Sequence, residues 1–404
     1  MLTNPTAQID HPKIAPYAPW PYYSPEEVAA VVMVMESGKV NYWSGEEARQ
    51  FEREFAAAAG CDYAVAVCNG TSALELAIHG LDIPAGSEII TTPRTFIASA
   101  SCAVMRGCVP VLAEVDPCSQ NITANSIERV ITPKTKAIIA VHLAGWPCDM
   151  DPIMDLAQRH GLKVIEDCAQ ASGATYKGRP VGSLGHVAAF SFCQDKIITT
   201  GGEGGMLTTG DKQIWERAWA FKDHGKSWDA VYTHQHPPGY GFRWLHESFG
   251  TNWRMTEIQA AIGRIQLRKL PDWIRIRRAN FQLLNETFSR FACLRVPQIP
   301  EEIGHAAYKG YVFLQPDGLR DGWNRDRIVN ELQARGVPCL SGSCSEIYLE
   351  KAFTTNNLGP TTRYPVAREL GETSLMFQVH PTLTAENLAE TAETLVRVFE
   401  QASK

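Results

Sequence analysis

The chain has 404 residues, of which 45% are hydrophobic and 20% are charged, and its formal net charge is −6. This length makes two domains the natural expectation, and the composition is that of an ordinary globular protein. The mild acidic excess argues against nucleic acid as the main partner. No apolar run reaches the ~18 residues that a membrane span needs, so no membrane partner is expected.

The N-terminus and the cysteines both indicate a cytoplasmic protein. The first residues, MLTNPTAQIDHPKIAPYAPWPYY, lack a basic start followed by an apolar block, so we expect no signal peptide. The eleven cysteines contain no C-x-x-C pair. An odd count without metal-ligand spacing indicates reduced thiols rather than disulfides or a metal site.

Short apolar strand patterns alternate with helical patterns from about Tyr63 to about Gly210. The predicted strands are YAVAVC, SEIITT, VPVLAEVD, KAIIAVHL, LKVIEDC, HVAAFSF and GGMLTT, and the clearest helices are TSALELAIHGL and FIASASCAVMRG. Several strands are apolar on both faces, which is typical of a mainly parallel sheet covered by helices. Ligands of such sheets bind at the C-terminal ends of the strands.

The pattern changes after the last of these strands. A long helix candidate, MTEIQAAIGRIQLRKLPDWIRIRRANFQLLNETFSRF, contains Pro271, which is expected to kink or divide it. A strand candidate, YKGYVFLQP, follows, and then helix candidates near 324–335 and 385–402. We therefore predict an α/β domain over residues 1–265 and a smaller α+β domain over residues 266–404.

Two strand ends carry polar groups that suit a charged ligand. NGTSA follows a strand and opens a helix, and its Gly70, Thr71 and Ser72 suit a phosphate monoester, although Ser and Thr are also favoured as helix caps. VIEDCAQ places Asp167 at the end of an apolar strand. A carboxylate there pairs with a metal, an arginine or a protonated ring nitrogen. In isolation it is explained equally well as an ordinary strand-end carboxylate that caps a turn.

Two further strand ends add an aromatic ring and an amine. Phe96, in PRTFIAS, can lie against a flat ligand ring, although core packing explains a lone phenylalanine more simply. FSFCQDKIITTGGEGG contains Ser191, a further hydroxyl for phosphate, and Lys196, which can act as a neutral nucleophile. Together the four strand ends describe a phosphorylated aromatic aldehyde with a basic ring nitrogen. That ligand is pyridoxal 5′-phosphate, held as a Schiff base on Lys196.

Five motifs occur in order along the chain: NYWSGEEARQFEREFAAAAG, NGTSALELAIHGL, VIEDCAQASGATYKGRPVGSLG, FSFCQDKIITTGGEGG and GTNWRMTEIQAAIGRIQL. In this order they resemble the DegT/DnrJ/EryC1/StrS family of sugar aminotransferases. The resemblance is dense over about residues 20–290 and looser beyond. It implies the fold-type I architecture of pyridoxal-phosphate-dependent transferases and the roles given above to the residues at the strand ends.

The resemblance implies two further site residues. Gln170 corresponds to a residue near the ring hydroxyl of the cofactor, and Asn252, in TNWRM, to an asparagine that reaches the phosphate from the neighbouring subunit. A homodimer whose active site is shared across the interface is therefore implied. Without the resemblance, Asn252 is interpreted as the N-cap of the following helix.

The implied activity moves an amino group from glutamate or glutamine to a nucleotide-linked keto-sugar, in surface polysaccharide or deoxyaminosugar biosynthesis. The alternatives are a sugar dehydratase, whose relatives carry histidine in place of the lysine, and an aminotransferase acting on a keto-cyclitol. A metalloenzyme is disfavoured because the four histidines of one region match no ligand motif; they are His224, His234, His236 and His246. A Rossmann dehydrogenase is disfavoured because GGEGG lacks G-x-G-x-x-G spacing.

One segment departs from the family pattern, and a second has more than one interpretation. The family commonly carries an H-Y-x-P-[LV]-H-like segment near the substrate, and the matching region here, 336–353, has Tyr348 where a histidine is usual. The segment 227–250 is rich in histidine and aromatic residues. It is interpreted as a substrate lid, as a dimer contact, or as ordinary packing.

Overall fold

The computed structural model describes residues 17–233 and 243–404. The α-helices in these ranges are α1 (Pro25–Ser37), α2 (Glu47–Ala59), α3 (Gly70–Gly80), α4 (Ala98–Met105), α5 (Ala124–Glu128), α6 (Met150–His160), α7 (Lys212–Lys222), α8 (Trp228–Tyr232), α9 (Glu257–Phe288), α10 (Arg325–Ala334), α11 (Lys351–Asn356), α12 (Pro365–Thr373) and α13 (Ala385–Ala402). The strands are β1 (Tyr63–Val67), β2 (Glu88–Thr91), β3 (Val109–Leu112), β4 (Thr135–Val141), β5 (Lys163–Asp167), β6 (Thr175–Tyr176), β7 (Arg179–Pro180), β8 (Val187–Ser191), β9 (Gly205–Thr209), β10 (Leu294–Arg295), β11 (Ile303–Gly304), β12 (Gly310–Leu314), β13 (Cys339–Leu340) and β14 (Ser374–Phe377).

The central sheet has seven strands in the order β1-β9-β8-β5-β4-β2-β3. Every neighbouring pair is parallel except those that include β9, which runs antiparallel to β1 and β8. The middle strands β4 and β5 are almost wholly buried, because their runs of isoleucine, valine and alanine are covered by helices. The predicted α/β fold with a mainly parallel sheet is confirmed.

The sheet topology gathers the polar strand ends at one edge. Strands β1, β2, β5 and β8 all point in the same direction, so their C-terminal ends lie at the same side of the sheet. Helix α3 follows β1 and packs against β8, and α4 follows β2 and packs against α3. Helix α3 therefore carries Gly70, Thr71 and Ser72, and Asp167 and Ser191 end strands. Phe96, Gln170 and Lys196 lie in the loops that follow strands.

A second sheet belongs to the C-terminal part of the chain. Its four strands, in the order β10-β12-β14-β13, are all antiparallel to their neighbours. A separate apolar core lies on it, formed by residues of α9, α10, α13 and the sheet, among them Phe288, Leu332, Phe377 and Phe399. This α+β arrangement agrees with the predicted character of the region, and the boundary between residues 265 and 266 stays a prediction.

Helix α9 corrects one expectation. It runs without interruption from Glu257 to Phe288, so Pro271 neither divides it nor ends it. Pro271 lies on the exposed side of the helix. Leu270 and Ile274 pack in the large core, and Phe288 packs in the smaller one. Packing on both sides of the proline therefore outweighs the hydrogen bond that the proline removes.

The segment 227–250 lies partly outside the described residues, as do His234 and His236. In its first part, Trp228 and Tyr232 of α8 pack against aromatic rings of α7 and of the loop before α2, with Tyr232 stacked on Trp43. This part of the segment contributes to packing. All eleven cysteines are free, and no helix of the described ranges is long and apolar enough to span a membrane.

Candidate active site

The four strand ends meet in a cavity of about 1160 Å³. Eight of the nine predicted site residues line it: Gly70, Thr71, Ser72, Phe96, Asp167, Gln170, Ser191 and Lys196. The ninth, Asn252, is exposed and does not line this cavity. One pocket of the chain therefore holds the whole constellation except the residue that was expected to act on the neighbouring subunit.

The N-terminus of α3 forms one wall of the cavity. Asn69 is the N-cap, and its side-chain oxygen accepts a hydrogen bond of 2.8 Å from the backbone N–H of Ser72. The hydroxyls of Thr71 and Ser72 therefore do not cap the helix, so helix capping does not explain why the motif contains them. The residues of the first turn line the same cavity, and the N–H groups at a helix N-terminus suit an anion.

Gly70 lets this helix end approach the end of β8. A Cβ atom at position 70 would lie 2.6 Å from the Cβ and 3.1 Å from the Cα of Ser191. Gly205, the last glycine of GGEGG, has a similar role, because a Cβ there would lie 2.4 Å from the carbonyl oxygen of Asn69. Gly70 and Gly205 therefore allow close packing beside the cavity, and they do not serve a dinucleotide-binding turn.

Asp167, the last residue of β5, is 4% exposed. One carboxylate oxygen accepts a hydrogen bond of 2.7 Å from the hydroxyl of Ser99, and the other accepts one of 3.1 Å from the backbone N–H of Ala169. Burial raises the pKa of Asp167, while these two hydrogen bonds and the charge of Lys196 act in the opposite direction. The carboxylate thus caps a turn and is also poised to pair with a cation in the cavity.

A buried histidine and glutamate lie behind Asp167. His142 accepts a hydrogen bond at Nδ1 from the backbone N–H of Cys148, so its proton is on Nε2 and is donated to Glu166 at 3.0 Å. Glu166 also accepts three backbone N–H groups from the loop 182–185. With Cys168 these two side chains form a cluster of metal-ligand type. Because the imidazole and the carboxylate are already engaged, the cluster needs no ion to satisfy it.

Lys196 is half-buried and its side chain points at an aromatic ring. Its Nζ lies 5.1 Å from the ring centre of Tyr308, a residue just before β12. Two hydrogen bonds hold the backbone of Lys196. Its N–H donates to the carbonyl oxygen of Cys193, and its own carbonyl oxygen accepts from the indole N–H of Trp20 at 3.1 Å. Within the described ranges the Lys196 amine has no ion-pair partner inside 4 Å, which leaves it available for chemistry.

Sequence reasoning missed three residues that surround this lysine. The hydroxyl of Tyr308 donates a hydrogen bond to Asp195, and Lys309 lines the cavity beside them. Asp195 could have been noticed because it directly precedes Lys196. Tyr308 and Lys309 lie in the segment that was predicted only as a strand, and nothing local signals their role.

One interpretation from the sequence is wrong, and one singled-out residue lies away from the cavity. The N-cap of α9 is Thr256, whose side chain accepts from the backbone N–H of Gln259, so the interpretation of Asn252 as the cap is wrong. Tyr348 is 3% exposed and does not line the cavity. Its hydroxyl bonds to Glu346 and accepts from the backbone N–H of Tyr364. It therefore packs in an apolar cluster with Ala100 and Leu112, away from the cavity lining.

The cavity fits pyridoxal 5′-phosphate. The first turn of α3 and Ser191 line the cavity together and suit the phosphate, and the buried carboxylate of Asp167 accommodates a protonated ring nitrogen. The side-chain carbonyl of Gln170 accepts from the backbone N–H of Ala144 at 2.8 Å, so its amide NH₂ is the group left for a ring hydroxyl. Phe96 is 69% exposed, with its ring at the cavity wall.

The comparisons with known proteins agree with this site. The model of the DegT/DnrJ/EryC1/StrS aminotransferase family matches residues 21–396. The X-ray structure of the aminotransferase from Psychrobacter cryohalolentis is 57% identical, with a TM-score of 0.94, and covers 95% of this chain and 99% of that chain. Spore coat polysaccharide biosynthesis protein SpsC of Bacillus subtilis is 33% identical over 93% of this chain and 95% of its own length. The dTDP-3-amino-3,4,6-trideoxy-alpha-D-glucose transaminase of Streptomyces venezuelae is 35% identical over 89% of this chain and 88% of its own length.

Proposed function

Because the chain belongs to the DegT/DnrJ/EryC1/StrS aminotransferase family, we propose that it transfers an amino group from glutamate or glutamine to a nucleotide-linked keto-sugar, with pyridoxal 5′-phosphate as its cofactor. The observation that carries the proposal is the single cavity lined by Lys196, Asp167 and the N-terminus of α3. The names of the relatives SpsC and the dTDP-aminosugar transaminase support a sugar substrate in polysaccharide or aminosugar biosynthesis.

The first turn of α3 and Ser191 are proposed to hold the cofactor phosphate. Backbone N–H groups, the hydroxyls of Thr71 and Ser72 and the positive end of the helix dipole all favour an anion there. Phe96 is proposed to lie against the ring, since an aromatic face at the mouth of the cavity can stack on a flat heterocycle. When bound, pyridoxal phosphate supplies an electron sink for the electron pair that remains after a proton leaves the donor's α-carbon.

Asp167 is proposed to keep the ring nitrogen protonated. A cation in contact with a buried carboxylate favours the ionised form and lowers the carboxylate's pKa, and by linkage the carboxylate raises the pKa of the cation. The hydrogen bonds from Ser99 and Ala169 orient both oxygens of Asp167. Gln170 is proposed to donate its free amide NH₂ to the ring hydroxyl.

Lys196 is proposed to bind the cofactor covalently through its side-chain amine. The amino group of the donor would take its place on the cofactor, and the released amine of Lys196 would then carry the proton. It accepts the proton released from the α-carbon of the amino donor, and it returns a proton when the amino group passes to the keto-sugar. Both roles need a neutral amine within reach of the reacting atoms. The half-buried position of Lys196 beside the ring of Tyr308, with no carboxylate in ion-pair contact in the described chain, supports this assignment.

Asn252 is proposed to reach the phosphate in the cavity of a partner subunit, so that a homodimer forms the complete site. Its exposure, together with its absence from the cavity of its own chain, supports a contact with another copy. The enzyme is proposed to act in the cytoplasm, where its free cysteines would stay reduced.

The test uses the purified holoenzyme with ¹⁵N-labelled L-glutamate or L-glutamine. Separate reactions contain keto-hexoses linked to dTDP, UDP and GDP, or a free keto-cyclitol, and the products are analysed by mass spectrometry. We expect one nucleotide sugar to gain labelled nitrogen. Loss of a hydroxyl without nitrogen gain would show a dehydratase instead, and labelling of a free keto-cyclitol alone would show the wrong acceptor class.

A further inference from the structure

Lys309 is a second amine in the active-site cavity, and nothing described so far uses it. It directly precedes β12, is half-buried and lines the cavity. Its Nζ lies 4.9 Å from the ring centre of Tyr308, and the Nζ of Lys196 lies 5.1 Å from the same centre. The two nitrogens are therefore at most about 10 Å apart.

This second amine lies in a cavity whose charged side chains are mostly acidic. Its lining carries five acidic side chains and two lysines; the acids are Glu75, Asp167, Asp195, Glu203 and Glu350. Lys196 is committed to the cofactor. Within the described chain, Lys309 has no carboxylate inside 4 Å, and Asp195 already accepts the hydrogen bond of Tyr308. Lys309 is thus the one cation of the described lining that is left to meet an incoming anion.

An amino donor brings such an anion with it. Glutamate and glutamine share an α-carboxylate, attached to the same carbon as the amino group that is transferred. Among five acidic side chains a carboxylate is repelled unless a cation binds it. The amino group must come to Lys196, and the ammonium group of Lys309 lies at most about 10 Å from the amine of that lysine.

We propose that the ammonium group of Lys309 binds the α-carboxylate of the amino donor and so selects amino acids as donors. The inference deepens the proposed function and rests on it for the identity of the donors. Lys309 binds substrate and takes no part in proton transfer.

The diphosphate of a nucleotide sugar fits this position less well. It is several bonds away from the ketone carbon that reacts, whereas the donor carboxylate is one bond away from the reacting carbon. Lys309 also stands alone, because the buried guanidinium of Arg277 behind it is directed at the backbone carbonyl of Tyr308 and does not line the cavity. A single ammonium matches a carboxylate better than a diphosphate, which usually recruits several donors.

No carboxylate of the described chain lies within ion-pair distance of Lys309, although the charge of Asp195 still acts on it. Burial lowers the pKa of Lys309, Asp195 opposes this shift, and the charges of Arg277 and Lys196 add to it. A carboxylate within hydrogen-bond distance would favour the ammonium form again.

The test measures the two half-reactions separately in the holoenzyme, with K309M, K309R and, as a matched control, K351M. Lys351 is an exposed lysine at the start of α11. The absorbance change of the cofactor is titrated with L-glutamate and with L-glutamine. In K309M the apparent Kd for both donors should rise roughly 10- to 100-fold, as expected for a lost charge-assisted hydrogen bond. K309R should stay within a few-fold of the wild type, and K351M should be unchanged.

Two further measurements exclude indirect effects. Binding of glutarate, a dicarboxylate that has no amine and cannot react, is measured by calorimetry and should weaken in K309M. The cofactor spectrum and the concentration of keto-sugar that half-saturates the second half-reaction should stay as in the wild type. If no nucleotide sugar is aminated but the donor titrations still depend on Lys309, the acceptor assignment fails while this inference stands.

Three results would overturn the proposal. Unchanged donor titrations in a folded K309M would show that Lys309 binds no donor carboxylate. A loss restricted to the keto-sugar step would assign the lysine to the acceptor. Weaker binding of glutamate with unchanged binding of glutamine would place the side-chain carboxylate, not the α-carboxylate, at Lys309.

Discussion

Replacing Gly70 with alanine tests the proposed phosphate site, formed by the first turn of α3 and Ser191, by adding a single carbon atom. The new Cβ would lie 2.6 Å from the Cβ of Ser191, and that atom cannot rotate away because it is bonded to the backbone at the end of β8. Carbon atoms in contact normally stay about 3.5–4.0 Å apart, so α3 and the end of β8 must separate by about 1 Å.

That displacement is large compared with the tolerance of a hydrogen bond. A contact of about 2.9 Å between a helix N–H and a phosphate oxygen would lengthen to about 3.9 Å and be lost. A hydrogen bond to a charged group contributes about 1.5–3 kcal/mol, so each one lost should weaken cofactor binding roughly 10- to 150-fold. The overpacking itself should lower the free energy of unfolding by about 1–3 kcal/mol.

The assay titrates cofactor-free protein with pyridoxal 5′-phosphate and with pyridoxal, which lacks the phosphate. G70A should lose affinity for the first much more than for the second. G210A is the matched control, because a Cβ at Gly210 would meet nothing within 4 Å. Urea unfolding of both variants separates a folding defect from a binding defect.

Wild-type affinity of a folded G70A protein for pyridoxal 5′-phosphate would refute the assignment of the phosphate to the N-terminus of α3. Equal losses for pyridoxal and its phosphate would refute it as well, because they would show that the substitution damages the cavity in general.

The remaining predictions concern the amine, the subunit contact and a buried lysine. Lys196→Ala should abolish amino transfer and leave the urea-unfolding midpoint close to that of the wild type; exchange at the wild-type rate would remove the lysine from its proposed role. Asn252→Ala should raise the cofactor dissociation constant roughly 10-fold, for one lost charge-assisted hydrogen bond, and an unchanged constant would count against the cross-subunit contact. Burial lowers the pKa of Lys222 to about 8, with Glu52 and Asp223 opposing the shift. Between about pH 8 and the ordinary lysine pKa near 10.4, the unfolded chain therefore binds more protons than the folded one, and the free energy of unfolding rises with pH. The stability that neutral Lys222 contributes above this window is lost as the pH falls through about 8, by about 3 kcal/mol in total. The difference in unfolding free energy between wild type and Lys222→Met should change by that amount between pH 7.5 and pH 10.5, and a constant difference would contradict the lowered pKa.

The sequence by itself determined the elements that depend on local pattern. Runs of apolar residues predicted the parallel strands, because a strand covered on both faces must be apolar throughout. Polar residues at the ends of those runs predicted the cavity, because parallel strands bring their C-terminal ends to one edge. Gly70, Asp167 and Lys196 could be found in this way, since each ends such a strand or lies within five residues of its end.

Only the tertiary structure decided which distant residues complete the cavity and which local signals fail. Tyr308 and Lys309 reach Lys196 across more than 100 residues of chain, a contact that no pattern within a few residues can encode. Pro271 should break a helix by local rules, yet packing against two cores keeps α9 continuous. The local preference against proline inside a helix is about 3 kcal/mol. Burial of several apolar side chains on both sides of Pro271 contributes more than that, at about 1.5–3 kcal/mol for each side chain, so the folded chain overrides the local preference.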